Sequence, residues 1–394
     1  MTHKTSNRNP IREMNLVADA LEYAKSLVAV PSVSRDSNAP VSAVVEKHLV
    51  DLGFQVERQE FLDPHGVPKV NVIGRKGPGI GGLAYFSHTD VVPADTWTDA
   101  VHGPFTPTVR DGRLYGRGSC DMKGSLACML AAAARMRDVE LTSPLYIVCT
   151  ADEEVGFHGA RRVVDASTFY REMVAGQSRA IIGEPTELNV VYAHKGIYGF
   201  RVISRGKAAH SSTRHGVNAN MAMIPFLMEM KRIHDETLAD PAWRNDAFDP
   251  PWISWNLGIN DHHCAVNITA PESVCTVYFR PMPGQDADQL VERARAAAAQ
   301  CNLEFHLECR GLPLSGDPNS EFVQETLKIA GKSQAKTVSY GTDGVCFTEL
   351  KQILVIGPGS IQQAHTDDEW IALSQFDAGT DVYEQMIRRW CARA

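Results

Sequence analysis

GGLAYFSHTD, residues 81–90, is the stretch on which the reading of this 394-residue chain turns. Two glycines break the chain, a short apolar run follows, and His88 and Asp90 come directly after it. A continuous apolar run bounded by turn residues reads as a strand buried on both faces. Open α/β sheets keep their functional residues beyond the carboxyl ends of such strands. The run therefore predicts an α/β domain with a largely parallel sheet and puts His88 and Asp90 at its working edge.

Outward from this stretch, Lys69–Ile73, Gly82–Ser87, Leu145–Thr150 and Ala180–Ile182 read as further short strands. Helical spacing runs from Ile11 to Val30, where Pro31 ends it, from Val41 to Leu52, where Gly53 ends it, and from Gly124 to Arg137. Strand alternating with helix is the pattern of a parallel sheet covered by helices. From about Ile197 the texture changes. GFRVISRG and VCTVYFRP alternate as half-exposed strands do, with helical stretches at Ala219–Ile233 and Ala287–Gln300. The α/β pattern resumes with a helix at Glu321–Ala330, a strand at Ile353–Ile356 and a final helix from Gln375. The expectation is one α/β domain, 1–196 and 312–394, interrupted by a smaller α+β domain, 197–311.

A hydrophobic share of 44% and a charged share of 22% exclude disordered, collagen-like and coiled-coil chains. Lys plus Arg number 39 against 47 Asp plus Glu, for a formal charge of -8, so no basic surface is expected for nucleic acid or anionic membrane. No run reaches the ~18 apolar residues of a membrane span. MTHKTSNRNPIREMN lacks the apolar core of a secretory signal and reads as a solvated tail. The nine cysteines form no CxxC pair, which predicts free thiols and a reducing, cytoplasmic setting.

Chemistry-bearing residues fall in five loops: His88; Asp121 in GRGSCDMKGS; Glu153 and Glu154 in TADEE; Glu184 in GEP; and His365 after ILVIGPGS. Singly, each reads as a capping or hydrogen-bonded loop residue, and the Glu pair as a solvated turn. Together they are a set of His and carboxylate donors suited to zinc or another divalent metal.

SHTDVVP, GRGSCDMKG, ADEEVG, GEPT, KAAHSS, VNITAPESVCTVYFRPMPG and GPGSIQQAHTDDEW, in that order over nearly the whole chain, resemble the di-zinc amidohydrolases and peptidases that include aminoacylase, succinyl-diaminopimelate desuccinylase, glutamate carboxypeptidase and acetylornithine deacetylase. The resemblance implies a catalytic domain interrupted by a lid domain that commonly dimerises, hence a homodimer. It implies two Zn²⁺, replaceable by Co²⁺ or Mn²⁺, with His88 and Glu184 on one, Glu154 and His365 on the other, and Asp121 bridging. Two such ions against three carboxylates leave about +1, which favours hydroxide over water at the bridge.

By the same resemblance Asp90 would fix the tautomer of His88. Glu153 would be the general base. His210 would stabilise the oxyanion, often from the partner subunit. Asn267 and Arg280 would hold the substrate, the Arg by clamping its α-carboxylate. GPGSIQQAH and YAHKG are most similar to acetylornithine deacetylase, which implies removal of an acetyl or similar small acyl group from an N-acyl-L-amino acid, a step of arginine biosynthesis. After Thr342-Asp343, where desuccinylases and aminoacylases tend to carry an Arg, stand Gly344, Val345 and Cys346, and Tyr278 stands where many relatives have an acid. A dipeptidase, carboxypeptidase or desuccinylase of the same chemistry, or a non-catalytic ligand-binding relative, are the alternatives. Cys120 and the histidines at 102, 158, 215, 262 and 263 carry no motif and read as structural or surface residues.

Overall fold

The computed structural model describes residues 20–99 and 101–393. The expected N-terminal tail and residues 11–19 of the expected first helix lie outside the described residues; residues 20–28 are helical. The chain divides into two compact units. One takes the described residues up to Tyr192, Gly316–Lys336 and Thr342 onward; the other takes Ala193–Ser315 with Thr337–Gly341.

The apolar runs form the centre of the first unit's sheet. Leu83–His88 and Leu145–Thr150 are buried at every position, as strands covered on both faces must be. They pair in parallel, Leu83 against Leu145 and His88 against Thr150. Arg179–Ile182 lies parallel on the other side of Leu83–His88, and Gln352–Val355 beyond it. This register brings all four carboxyl ends to one edge.

The sheet is mixed rather than wholly parallel. Gln55–Leu62 and Pro68–Lys76 form an antiparallel hairpin that joins Leu145–Thr150, and Val191–His194 pairs antiparallel with Gln352–Val355 at the opposite side. Gln55–Leu62 was not expected from the sequence. Its run QVERQEFL is mostly exposed, with the charges that protect an edge strand from unwanted pairing.

Lys123–Arg135 is buried along almost its whole length because it packs against both the sheet and Leu373–Cys391. Its alanines let the helices approach closely. A Cβ on Gly379 would lie 3.1 Å from Cys128 Sγ. The buried hydroxyl of Tyr383 donates to the Ile356 carbonyl at 2.9 Å and lies 2.8 Å from Ser125 Oγ, which in turn is 2.9 Å from Tyr85 Oη. Two helices and two strands are thereby tied under the sheet edge.

In the second unit a four-stranded antiparallel sheet runs in the order Ser254–Asn260, Glu272–Arg280, Ile197–Arg205, Glu304–Gly311. Glu272–Arg280 alternates buried and more exposed positions, the mark of a sheet with one covered face. Ala219–Ala239 and Asp288–Gln300 pack on that face, with Phe226, Met230, Ile233, Val291 and Ala294 in its core. The first of these helices continues past the expected end at Ile233, and Pro225 falls inside it. Among the described residues no helix is long and apolar enough to cross a membrane.

Candidate metal centre

Each strand of the parallel set delivers a candidate ligand from its carboxyl end. His88 closes Leu83–His88, Glu153 and Glu154 follow Leu145–Thr150, Glu184 follows Arg179–Ile182, and His365 lies in the segment after Gln352–Val355. Asp121 comes from the glycine-rich loop before Lys123–Arg135.

Two possible ligand sets share Asp121. His88, Asp121 and Glu184 form one, and Asp121, Glu154 and His365 the other, each with donor atoms within 4.8 Å of one another. The Asp121 carboxylate stands between two imidazoles, Oδ1 at 3.1 Å from His88 Nε2 and Oδ2 at 3.4 Å from His365 Nε2. Glu154 Oε1 is 3.2 Å from His365 Nε2, and Glu184 Oε1 is 3.9 Å from His88 Nε2. Glu153 joins His88 and Glu154 in a third set.

The surroundings hold these groups through the backbone. Asp90 is buried, and its carboxylate accepts hydrogen bonds from the N–H groups of Glu153 (3.2 Å) and Glu154 (3.3 Å) and from the Ser34 hydroxyl (2.7 Å). His88 Nδ1 lies 2.9 Å from the Asp90 main-chain oxygen and 3.7 Å from the carboxylate. It is thus the backbone of Asp90 that meets the ring, while its side chain secures the Glu pair. Beneath the same turn the buried Lys69 ammonium is 2.8 Å from Asp152, whose φ of 60° is left-handed. Lys69 also donates to the carbonyls of Ser34 and Asp36.

Lys69 and Asp343 were missed from the sequence. Lys69 reads there as the first residue of a strand, and Asp343 only as part of the Thr-Asp after which relatives tend to carry an Arg. Asp343 is buried, with Oδ2 accepting from Thr150 Oγ1 at 2.6 Å and Oδ1 without a hydrogen-bond partner among the described residues.

The electrostatics show what the cluster suits. Burial pushes the Glu184 carboxyl well above its ordinary range, and the charges acting on it are Asp121, His88, Glu154 and Asp343. Burial likewise raises Glu153, opposed by His88 and assisted by Glu184 and Glu154. Asp343 is pushed up to about 7, again by burial. Burial also works to raise Asp121, but hydrogen bonds from His365 and His88 hold it below its usual value. Hydrogen bonds to Asp121 and Glu154 raise His365 to about 10. A nest of partly or wholly buried carboxylates set against the imidazoles of His88 and His365 is a donor set that a divalent cation satisfies. The residues fit a metal.

Cys120 is buried with its thiol toward the Ser360 carbonyl at 3.3 Å, and it belongs to no candidate ligand set among the described residues.

His210, Asn267 and Arg280 lie in the second unit. A bridge joins His210 to Ile268, and the Asn267 carbonyl accepts from Ser211 N at 2.9 Å, so His210 and Asn267 are neighbours on one ribbon. His210 Nδ1 accepts from Ser212 N at 3.2 Å, which leaves the proton of the neutral ring on Nε2. Arg280 ends its strand with its guanidinium 5.2 Å from the centre of the Tyr278 ring. Its Nη1 is buried without a hydrogen-bond partner among the described residues. Tyr278 thus offers the guanidinium an aromatic face.

Comparison with known proteins gives the family of the chain. The model of Peptidase family M20/M25/M40 matches residues 84–389. An acetylornithine deacetylase of Myxococcus xanthus is 34% identical over 378 residues, 93% of this chain and 96% of that protein. One from Proteus mirabilis (strain HI4320) is 34% identical over 390 residues, 94% and 96% of the two chains. Among solved structures, an M20 family metallo-carboxypeptidase, Sso-CP2 from Sulfolobus solfataricus, shares the fold with a TM-score of 0.74 at 16% identity, covering 95% of this chain and 98% of that one.

The raised His365 provides a test that needs no turnover. In metal-free protein the folded state holds a proton on His365 up to about pH 10, whereas an ordinary histidine releases it near 6.5. The stability this adds is fully present below about pH 6.5 and is lost as pH rises through about 10. With chelator present, the gap in urea midpoint between the wild type and His365→Asn should therefore narrow across that window. A gap that widens with pH would show that His365 gains no proton from its neighbours.

Proposed function

Because the chain belongs to Peptidase family M20/M25/M40, we propose that it is a two-zinc amidohydrolase of the acetylornithine deacetylase type, removing an acetyl or similarly small acyl group from an N-acyl-L-amino acid. The observation that carries the reading is the Asp121 carboxylate, which turns one oxygen to each of two histidines and belongs to both ligand sets. The 34% identity to acetylornithine deacetylases over nearly the full chain supports the substrate class. The lack of an Arg among Gly344, Val345 and Cys346 suits a substrate without a second, distal carboxylate.

His88 and Glu184 would hold one zinc, Glu154 and His365 the other, and Asp121 both; Co²⁺ or Mn²⁺ could replace them. When bound, the metals supply Lewis acidity toward the amide carbonyl and toward water. The remaining work falls to side chains. Glu153, its carboxyl raised by burial and so more basic than an ordinary carboxylate, is suited to take a proton from the attacking water and return it to the leaving nitrogen. His210, with its proton on Nε2, is suited to donate to the oxygen that gains charge. The free Nη1 of Arg280 is suited to the substrate's α-carboxylate, and Asn267 to a further polar contact. Asp90 keeps Glu153 and Glu154 in place.

The second unit, expected as residues 197–311, would serve as lid and dimerisation domain of a homodimer. Met221, Ile224 and Met228 form an exposed apolar stripe on Ala219–Ala239, and Ile259 is exposed on Ser254–Asn260, an edge strand of that unit's sheet. The nine cysteines are all unpaired, which suits the reducing cytoplasm.

Three experiments test this reading. Glu153→Gln should keep about two equivalents of zinc, as in the wild type, yet lose ~10²- to 10⁴-fold in kcat; near wild-type turnover with the metal retained would move the base elsewhere. In a screen of N-acetyl and N-succinyl amino acids and dipeptides, the N-acetyl acids should be the best substrates. Arg280→Ala should lower kcat/KM for them much more than for their carboxamides; equal losses would remove the clamp, and faster cleavage of succinyl or dipeptide substrates would replace the deacetylase assignment. Finally, light scattering should report a dimer that Met228→Glu dissociates; a monomeric wild type would refute the dimer.

A further inference from the structure

Glu369 lies four residues beyond His365 and was not singled out by its sequence context. It is buried, and among the described residues the hydrogen-bond partners of its carboxylate lie in the loop that carries Asp121. Oε1 accepts from the N–H groups of Cys120 (2.8 Å) and Asp121 (2.9 Å). Oε2 accepts from the N–H of Gly118 and from Arg117 Nη1, both at 2.9 Å. The main-chain oxygen of Glu369 accepts from Gly116 N at 3.0 Å. Immediately beyond, Trp370–Ala372 pairs antiparallel with Arg113–Tyr115, Trp370 opposite Tyr115.

A buried carboxylate is costly unless its lone pairs are filled, and here four donors fill them. Three are peptide groups of one glycine-rich turn, which has no regular secondary structure of its own to hold it. The same segment carries His365, whose ring stands 3.4 Å from the Asp121 carboxylate. One side chain thus locks the main chain of one candidate ligand to the segment bearing another.

We infer that Glu369 is a positioning residue for the metal centre: through the peptide groups of Gly118, Cys120 and Asp121 it fixes the spacing between Asp121 and His365, and so sets metal affinity. It touches no reacting atom. The inference rests on the metal-site reading above. Glu369→Gln preserves shape but turns an –NH₂ toward one pair of donors, so that part of the cradle must open. Glu369→Asp keeps the charge and shortens the reach.

The test is titration of metal-free wild type, Glu369→Gln and Glu369→Asp with cobalt(II) alone, reading affinity and the visible d–d spectrum, with folding checked by circular dichroism. Glu172→Gln, which breaks the ion pair with Arg75 on the other side of the sheet's hairpin, controls for general destabilisation. Both Glu369 variants should bind cobalt about 10- to 100-fold more weakly, the range known for partners that orient metal ligands. Their spectra should change while Glu172→Gln matches the wild type. If Glu369→Gln does not fold, Glu369→Asp decides by the same comparison. Wild-type affinity and spectrum in a folded Glu369 variant would overturn the positioning role, as would an equal loss in Glu172→Gln. A wild type that takes up no cobalt would overturn the metal reading itself, and the inference with it.

Discussion

Everything about the first unit's sheet edge answers to one carboxylate held between two imidazoles. Asp121 can face His88 and His365 at once only if a strand end, a glycine-rich loop and a segment more than two hundred residues further along meet within hydrogen-bonding reach. The parallel register supplies the first condition, since it sets His88 level with Thr150 and Phe86 level with Ile182. Acidic side chains gathered there repel one another and resist burial, so the geometry must be imposed by the scaffold. That imposition is visible in the polar groups behind the cluster, where Asp90, Lys69 and Glu369 each spend a buried charge mainly on peptide groups or on a neighbouring loop.

This explains which parts of the site could be read from the sequence. The strands were legible because continuous apolar runs between glycines leave few alternatives, and the six residues brought together here each lie near such a run or a glycine-rich turn. Gln55–Leu62 escaped because an exposed edge strand has no apolar signature. Lys69, Asp343 and Glu369 escaped for a different reason. Their partners are main-chain or side-chain groups tens to hundreds of residues away, and no local pattern announces such a pairing. Asp90 was expected to hold the His88 ring with its side chain, yet the ring meets its main-chain oxygen more closely. Spacing along a chain cannot distinguish a carboxylate from the carbonyl of the same residue.

The two units differ in the polar groups they present. The first gathers carboxylates that suit a cation, whereas in the second His210 Nδ1 accepts from Ser212 N and Arg280 Nη1 is buried without a hydrogen-bond partner among the described residues. Tyr278 sets an aromatic ring beside that guanidinium. An acid beside Arg280 would satisfy the guanidinium internally, while an aromatic face attracts the cation without occupying its N–H groups.

Glu153 and Glu154 show how adjacent identical residues acquire different tasks. Their N–H groups are fixed by the two oxygens of the single Asp90 carboxylate, so neither residue can slide relative to the other. The Glu154 side chain reaches His365 and thereby becomes part of the set around Asp121. Burial raises the Glu153 carboxyl, with His88 opposing the rise and the like charges of Glu184 and Glu154 assisting it. Beneath the turn that carries both residues, Lys69 and Asp152 form a buried ion pair, and separating it would strand two charges away from water.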